Sequence, residues 1–267
     1  MRRESRRYMK LTHGNYHSIQ ANKAYWSVSQ FKAFQNCPAS AMAQLTGEYI
    51  RPETDALLMG SYVDAYFSDL ATLDAFTANH ADQLFTKRGE LRSQYRKADE
   101  AIQRAERDKT FMEYMDGEKQ VIMTAELFDV EWKIKIDCLH DDKIVDLKYM
   151  KDMGSIYMDG ERKSFVQAYG YDLQGYIYQQ IVEQNTGKHL PFYLAVITKE
   201  DPANIELIHI SDKFLNVNKG MVEHYLPIFD AIKRGEVEAE RCGSCAYCRQ
   251  SKQLTGPIEF EDLLEGE

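Results

Sequence analysis

Two aspartates and a lysine lie close together in the stretch from Glu131 to Tyr149, EWKIKIDCLHDDKIVDLKY. Asp146 and Lys148 are two residues apart, so in a β-strand their side chains project from the same face. Asp137 precedes them, and the polar residues His140-Asp141-Asp142 between the two aspartates favour a chain reversal. Pairing two strands across that turn brings Asp137 opposite or diagonal to Asp146. Two carboxylates so close repel each other unless a cation lies between them, and a hard divalent metal with oxygen ligands is the simplest candidate.

The residues around these side chains predict the β-hairpin that must position them. In the first strand apolar and charged residues alternate, which predicts one apolar face and one charged face. The second strand alternates in the same way, with Val145 and Leu147 on the face opposite Asp146. The alternative is a surface hairpin whose charges face water. The apolar positions of the first strand are Val130, Trp132, Ile134 and Ile136, and its charged positions are Glu131, Lys133, Lys135 and Asp137.

A second group of chemically active residues lies near the end of the chain. Cys242, Cys245 and Cys248 have the spacing C-x-x-C-x-x-C, which chelates a tetrahedral metal ion or an iron–sulfur cluster. Three thiols need a fourth ligand, and Cys37, in the context F-x-x-C-P, is the candidate. The alternative is a set of unligated cysteines in a flexible tail. Cys138, beside Asp137, is expected to be a small core residue on the apolar side of its strand.

The amino-acid composition predicts a folded protein with a well-packed core. The chain has 267 residues, of which 44% are hydrophobic and 12% aromatic, enough for a sizeable core in one large domain or two small ones. Neither a secretory signal nor a run of eighteen apolar residues is present, so no membrane span is expected. We therefore expect a cytoplasmic protein whose five cysteines are reduced or bound to metal rather than paired in disulfides.

The net charge of −9 argues against a protein that coats nucleic acid without specificity, although local basic patches can still contact phosphates. One such patch is the N-terminal arm MRRESRRYMK. Another is formed by Arg88, Arg92 and Arg96, which recur every four residues and would share one face of a helix. These three arginines are candidates for DNA contact, and a solvated charged face is the alternative.

Several motifs occur in an order that resembles the RecB-like branch of the PD-(D/E)xK nuclease superfamily. They begin with S-x-S-Q-F-K-x-F-x-x-C-P from Ser27 and continue with G-x-x-x-D from Gly60. Asp137 and the D-L-K of residues 146–148 follow, and then Q-x-x-x-Y from Gln174. Two positions depart from the family pattern: Ile136 replaces the usual proline, and Asp64 replaces the usual histidine. The whole set is similar to RecE-type nuclease domains of phages and prophages, the exodeoxyribonuclease VIII group.

This resemblance implies a fold and a set of residue roles. The implied fold is α/β (α+β), a restriction-endonuclease-like core with a central mixed sheet flanked by helices. The implied Mg²⁺ or Mn²⁺ ligands are Asp64, Asp137, Asp146 and the backbone carbonyl of Leu147. Lys148 would help to activate the attacking water, and Gln174 and Tyr178 would orient catalytic groups. The residues leave open whether Glu118 or Glu126 also faces the metal, and whether the four cysteines hold zinc or an iron–sulfur cluster.

The implied activity is a Mg²⁺-dependent exonuclease that resects duplex DNA ends and leaves a single strand for an annealing partner. Relatives of this type work as rings, so a homo-oligomer is compatible with the resemblance. We expect a basic arm over residues 1–24, a nuclease domain over residues 25–235, and a cysteine-containing segment over residues 236–267 that packs back on the domain. Two alternatives remain: a catalytically silent DNA-binding or scaffold module with a structural four-cysteine metal site, and a metal-dependent phosphodiesterase acting on another nucleic acid.

Overall fold

The computed structural model describes residues 9–158, 160–254 and 256–263. Within those ranges no helix combines the length and the apolarity that crossing a membrane requires. The strands are β1 (Glu118–Leu127), β2 (Val130–Leu139), β3 (Ile144–Met150), β4 (Ile156–Met158), β5 (Glu161–Lys163), β6 (Phe192–Thr198) and β7 (Ile205–Ile210). The helices are α1 (Ile19–Ala24), α2 (Val28–Asn36), α3 (Pro38–Thr46), α4 (Asp55–Ser68), α5 (Leu70–Asn79), α6 (Ala81–Leu84), α7 (Ser93–Glu106), α8 (Lys109–Tyr114), α9 (Phe165–Ala168), α10 (Tyr171–Thr186), α11 (Asp212–Leu215), α12 (Asn218–Lys233), α13 (Ala246–Gln250) and a 3-10 helix (Phe260–Leu263).

Five strands form a mixed sheet in the order β1-β2-β3-β6-β7. The β3–β6 pair is parallel, and the other three neighbouring pairs are antiparallel. A parallel pair needs a crossover connection, and α10 lies in the segment between β3 and β6. The predicted α/β (α+β) fold, with a central mixed sheet flanked by helices, is therefore confirmed.

Each face of the sheet is covered by helices, so the sheet lies between two apolar cores. The first core contains residues of α2, α10 and α12, with Ile144 and Leu194 among its strand residues. The second contains residues of α4 and α7, with Val145 and Ala195 among its strand residues. Because successive strand residues point to opposite faces, neighbouring residues along β3 and β6 pack in different cores.

The alternation predicted for β2 breaks at Asp137. Ile136 packs in the first core, but Cys138, two residues later, packs in the second. Cys138 is a fully buried core residue, as expected, yet it lies on the opposite side from Ile136. The partner strand is irregular at the same point. The β1–β2 register passes from Lys119 with Cys138 to Val121 with Ile136, and Gln120 between them has a φ of +54°. The strand is therefore regular on both sides of Asp137 but not through it.

Two predicted helices are interrupted in the structure. Pro38 predicts a break in the helical segment that follows Ser29. This break is confirmed, because Cys37 ends α2 and begins α3. The sequence from Phe165 to Asn185 predicts a single helix with Gln167, Gln174 and Tyr178 on one face. In the structure α9 and α10 are separate, with Gly170 between them at a φ of +62°. Gln167 therefore does not share a helix face with Gln174 and Tyr178, contrary to the sequence interpretation.

The two ends of the described chain pack on the sheet and its helices. Lys133, expected on a charged face, is 1% exposed because the N-terminal segment covers it. Its ammonium group donates to Tyr16 O and to Asn22 Oδ1, the latter at 2.7 Å. At the other end, α13 contacts α3. Residues 1–8 of the predicted basic arm lie outside the described residues, and the predicted domain boundaries remain predictions.

Candidate active site

The candidate site lies where β2 and β3 separate. The two strands pair only at Cys138 with Val145 and at Leu139 with Ile144, so Asp137 and Asp146 face each other at the first position beyond the ladder. There Asp137 Oδ2 accepts a hydrogen bond of 2.9 Å from the Leu147 N–H, which takes the place of a strand-to-strand bond. The predicted juxtaposition of the two aspartates thus occurs at a fork in the sheet, where both strands leave polar groups exposed to the gap.

A different segment pairs with β2 after β3 has left it. The N–H of Trp26 donates to Glu131 O at 2.8 Å, and the N–H of Lys133 donates to Trp26 O at 2.8 Å. These bonds satisfy backbone groups of β2 that would otherwise lack partners. The segment just before α2 is therefore fixed beside the fork, and with it Ser27, whose side chain caps α2.

A third carboxylate, from α4, approaches the same fork. The side-chain amide of Gln120 lies between two aspartates, 3.2 Å from Asp64 Oδ1 and 3.5 Å from Asp137 Oδ1. Helix α4 packs over β3, and this contact brings Asp64 to the fork. Gln120 was not singled out in the sequence, because its role depends on the irregular backbone of β1. Glu118 and Glu126 are exposed, and neither forms a hydrogen bond with these aspartates among the described residues.

The electrostatics of the cluster reflect the crowding of like charges in a buried place. Burial raises the pKa of Asp137 well above its usual range, and the neighbouring Asp146 and Asp64 raise it further. Burial also raises the pKa of Asp64, an effect that Lys135 and Lys148 partly oppose. A bound divalent cation would oppose both pKa shifts, because it stabilises the charged form of each carboxylate.

Asp146 is the most enclosed of the three aspartates, at 1% exposure. Its Oδ1 accepts a hydrogen bond of 2.5 Å from Gln174 Nε2. Its Oδ2 is buried and, among the described residues, receives no hydrogen bond of acceptable geometry. The Lys148 ammonium group contacts that oxygen as an ion pair. A buried carboxylate oxygen of this kind is suited to a metal ion.

Lys148 carries a positive charge beside these aspartates. Its burial lowers the pKa, but the carboxylates of Asp146 and Asp137 outweigh that effect, so the pKa is raised above its ordinary value. The ammonium group also lies 5.1 Å from the ring centre of Tyr171, at the start of α10. Lys32 of α2 approaches the same ring at 5.8 Å and donates a hydrogen bond of 2.8 Å to Tyr169 O. Lys32 is part of the S-x-S-Q-F-K motif, although the motif alone did not reveal its position.

Tyr178, the other residue of the Q-x-x-x-Y motif, anchors the opposite side of the fork. Its hydroxyl donates a hydrogen bond of 3.0 Å to Lys135 O on β2, and the side chain is buried. Gln174 and Tyr178 line a cavity of about 120 Å³ beside the fork, together with Ser29 and Lys32. A larger cavity, of about 570 Å³ between α4, α7, α8 and β1, contains none of the residues predicted for the site.

The three arginines proposed for DNA contact do not share a helix face. Arg96 lies in α7, Arg92 only caps that helix, and Arg88 lies in the preceding turn. Arg92 donates to Phe85 O at 3.2 Å and to Asp82 O at 3.1 Å, and Arg96 donates to Leu91 O at 3.0 Å. The helical prediction for this group is wrong because Gly89 and its neighbours form a turn. DNA contact by these residues remains a prediction.

The four cysteines of the second site come together from the two ends of the chain. The sulfur atoms of Cys37, Cys242, Cys245 and Cys248 all lie within 4.8 Å of one another. Hydrogen bonds from the Cys245 N–H and from Ser244 lower the pKa of Cys242 to about 6. Burial raises the pKa of Cys37 to about 11. The predicted grouping of these residues is therefore present, and such a group of thiols is able to bind a metal.

Comparison with known proteins points to one family. Residues 27–251 match the family described as "PDDEXK-like domain of unknown function (DUF3799)". A crystal structure of a "Putative exonuclease" from Eubacterium rectale is 43% identical, with 97% of this chain and 100% of that chain covered and a TM-score of 0.94. No curated protein is significantly similar. The described motifs, from Ser27 to Cys248, fall within the matched residues.

Proposed function

This chain belongs to the family of PDDEXK-like domains, the superfamily its motifs predict, and on that premise we propose that it is a Mg²⁺-dependent exonuclease. The proposed substrate is duplex DNA, with phosphodiester bonds hydrolysed at its ends to leave a single strand for an annealing partner. One observation carries the proposal. Three aspartates surround the fork between β2 and β3, and the buried Oδ2 of Asp146 has an ammonium group beside it but no hydrogen bond among the described residues.

The proposed ligands of the ion are the carboxylates of Asp64, Asp137 and Asp146 with the carbonyl of Leu147. The N–H and C=O of one strand residue point to the same side of the strand, and the Leu147 N–H is directed at Asp137. When bound, the metal supplies a water of lowered pKa and neutralises charge on the scissile phosphate. Mn²⁺ is expected to substitute for Mg²⁺, since both prefer oxygen ligands.

The protein side chains then have distinct proposed tasks. Gln174 holds Oδ1 of Asp146 and so fixes the direction of Oδ2. Lys148, whose pKa is raised by its carboxylate neighbours, is a cation that orients the attacking water and stabilises the negative charge developing on the phosphate. Tyr178 fixes β2 at Lys135, and Gln120 spaces Asp64 from Asp137. These last two act on the site through other residues.

The test is digestion of linear duplex DNA labelled at one end of one strand, with Mg²⁺ and with EDTA. Wild-type protein is compared with Asp146→Ala and Lys148→Ala. We expect metal-dependent loss of label from one polarity, with each variant slower by at least about 100-fold. Asp142→Ala is the matched control, because Asp142 lies in the same hairpin but is exposed and paired with Lys143. It should retain wild-type activity.

Two further substrates separate the proposal from its alternatives. Closed circular duplex has no ends, so an exonuclease leaves it intact, whereas cleavage of the circle would contradict the assignment. Digestion of RNA in preference to DNA would identify a different phosphodiesterase. Folded wild-type protein that binds DNA with Mg²⁺ but cleaves none of these substrates would be a silent binding module, and the catalytic proposal would then be wrong.

A further inference from the structure

The four-cysteine site has a geometry that distinguishes between the metals its residues allow. Cys37 Sγ lies 3.6 Å from Cys248 Sγ, and Cys242 Sγ lies 4.0 Å from Cys248 Sγ. No pair among the four sulfur atoms is separated by more than 4.8 Å. Four sulfurs this close leave room for one ion at their centre.

A single zinc ion fits those separations. A Zn–S distance of about 2.3 Å in a tetrahedron places neighbouring sulfur atoms about 3.8 Å apart. In an iron–sulfur cluster the cysteines are distributed over two or four iron atoms with sulfide between them, so the thiolates are held further apart. The cluster that the sequence resemblance allows therefore does not fit this arrangement.

The backbone around the sulfurs repeats one hydrogen-bond pattern. The N–H of Ser40 donates to Cys37 Sγ at 3.4 Å, that of Cys245 to Cys242 Sγ at 3.3 Å, and that of Cys248 to Cys245 Sγ at 3.4 Å. In each case the donor is the third residue after the cysteine. Amide donors of this kind orient metal-bound thiolates and offset part of their negative charge.

The site joins parts of the chain that are more than two hundred residues apart. Cys37 lies between α2 and α3, and the Ala39 N–H there donates to Glu240 O at 3.0 Å. Arg241 donates to Cys248 O at 3.1 Å, which holds the last thiol in place. An ion at this point would therefore hold the C-terminal segment against α2 and α3.

From this geometry we propose that Cys37, Cys242, Cys245 and Cys248 bind one structural Zn²⁺ rather than an iron–sulfur cluster. The ion cross-links the helix pair α2–α3, which borders the cavity beside the fork, to the C-terminal segment. The proposal concerns the metal content and stability of the protein and does not depend on the proposed nuclease activity.

The test measures the metal content of protein purified without chelators or metal-affinity resin from cells supplied with both zinc and iron. We expect about one zinc per chain, no acid-labile sulfide and no visible absorption from a cluster. Replacement of zinc by Co²⁺ should give the absorption bands of a tetrahedral thiolate site. Cys245→Ser should lower the zinc content at least tenfold, whereas Cys138→Ala, which removes the cysteine outside the site, should retain one zinc per chain.

The other outcomes each overturn the assignment. Iron together with acid-labile sulfide would establish a cluster, and one iron without sulfide would keep the single-ion geometry but exclude zinc. Wild-type protein that neither contains zinc nor takes up Co²⁺ would show that the thiols are unligated. If Cys245→Ser does not fold, zinc is instead removed from wild-type protein with a strong chelator. A lower unfolding temperature that added Zn²⁺ restores is then expected, and an unchanged one contradicts the proposal.

Discussion

The carboxylate of Asp146 is held from two directions by side chains of different charge. The Gln174 amide binds Oδ1, and the Lys148 ammonium group lies against Oδ2. Removal of Lys148 takes away a charge at the proposed reaction centre. Removal of Gln174 leaves every charge in place, but the Asp146 carboxylate is then free to rotate. The two residues therefore affect the site in distinguishable ways, although both contact the same aspartate.

We expect Gln174→Ala to lower kcat by about 10²-fold while the KM for DNA changes little, because a displaced catalytic group slows the reaction without weakening substrate contacts. Steady-state kinetics on end-labelled duplex measures both constants. Gln184→Ala is the matched control, since Gln184 lies on the same helix and donates to Glu126 O, away from the fork. Equal kinetics for the two variants would remove the positioning role assigned to Gln174.

Helix α10 carries Gln174 and Tyr178, and its start is set by the left-handed Gly170. A Cβ at Gly170 would lie 3.1 Å from Lys32 Cδ. The ammonium groups of Lys32 and Lys148 both lie near the Tyr171 ring. The conformation of the turn at Gly170 therefore affects the position of Lys32. Further along α10, Gly175 permits close packing on β6, because a Cβ there would lie 2.6 Å from Phe192 Cδ1.

Gly170→Ala and Gly187→Ala make a matched pair at the two ends of α10. Both glycines have positive φ, so each alanine is expected to lower the free energy of unfolding by about 1–2 kcal/mol. Gly187 has no neighbour within 4 Å of the added Cβ, whereas Gly170 approaches Lys32. Thermal melting should therefore give similar losses of stability, while nuclease assays on folded protein show reduced activity for Gly170→Ala alone. Full activity in that variant would show that displacing Lys32 does not disturb the site.

At the scale of the whole molecule, the fork lies where several units of the fold meet. The sheet contributes Asp137 and Asp146, α4 contributes Asp64, and α10 contributes Gln174. In the absence of a cation these carboxylates are unfavourable in their charged form, because burial and then the like charges of Asp146 and Asp64 raise the pKa of Asp137. Binding of a divalent ion is therefore expected to stabilise the entire folded chain.

We expect Mg²⁺, or Ca²⁺ used as a non-catalytic substitute, to raise the unfolding temperature in differential scanning calorimetry. The gain in unfolding free energy at a hundredfold excess over Kd is about 2.7 kcal/mol. Asp137→Asn removes one of three like charges, so without metal this variant should unfold at a higher temperature than wild-type protein. In this variant the metal should no longer raise the unfolding temperature. If the metal raises the unfolding temperature of wild-type protein and of Asp137→Asn equally, the ion binds at another site.

The superfamily, the main strands around the site and the placing of Asp137 opposite or diagonal to Asp146 could be predicted from the sequence. The strands and their pairing were predictable because alternation along a strand and a short turn restrict the register to few choices. The break at Cys37-Pro38 was equally predictable, since a proline cannot continue a helix. The grouping of Cys37 with the three late cysteines followed from ligand number, because three thiols leave a tetrahedral ion one ligand short.

The separation of the strands at Asp137 and the residues that fill the gap could not be predicted, because they depend on contacts between distant segments. Gln120 reaches the carboxylates through an irregular backbone, and Lys133 is buried by a segment more than a hundred residues away. The separation of α9 from α10 and the turn before α7 likewise depend on left-handed glycines, Gly170 and Gly89. Periodicity reports which face of an element is apolar. It contains no information about which distant segment covers that face, and packing between segments determines the geometry of the site.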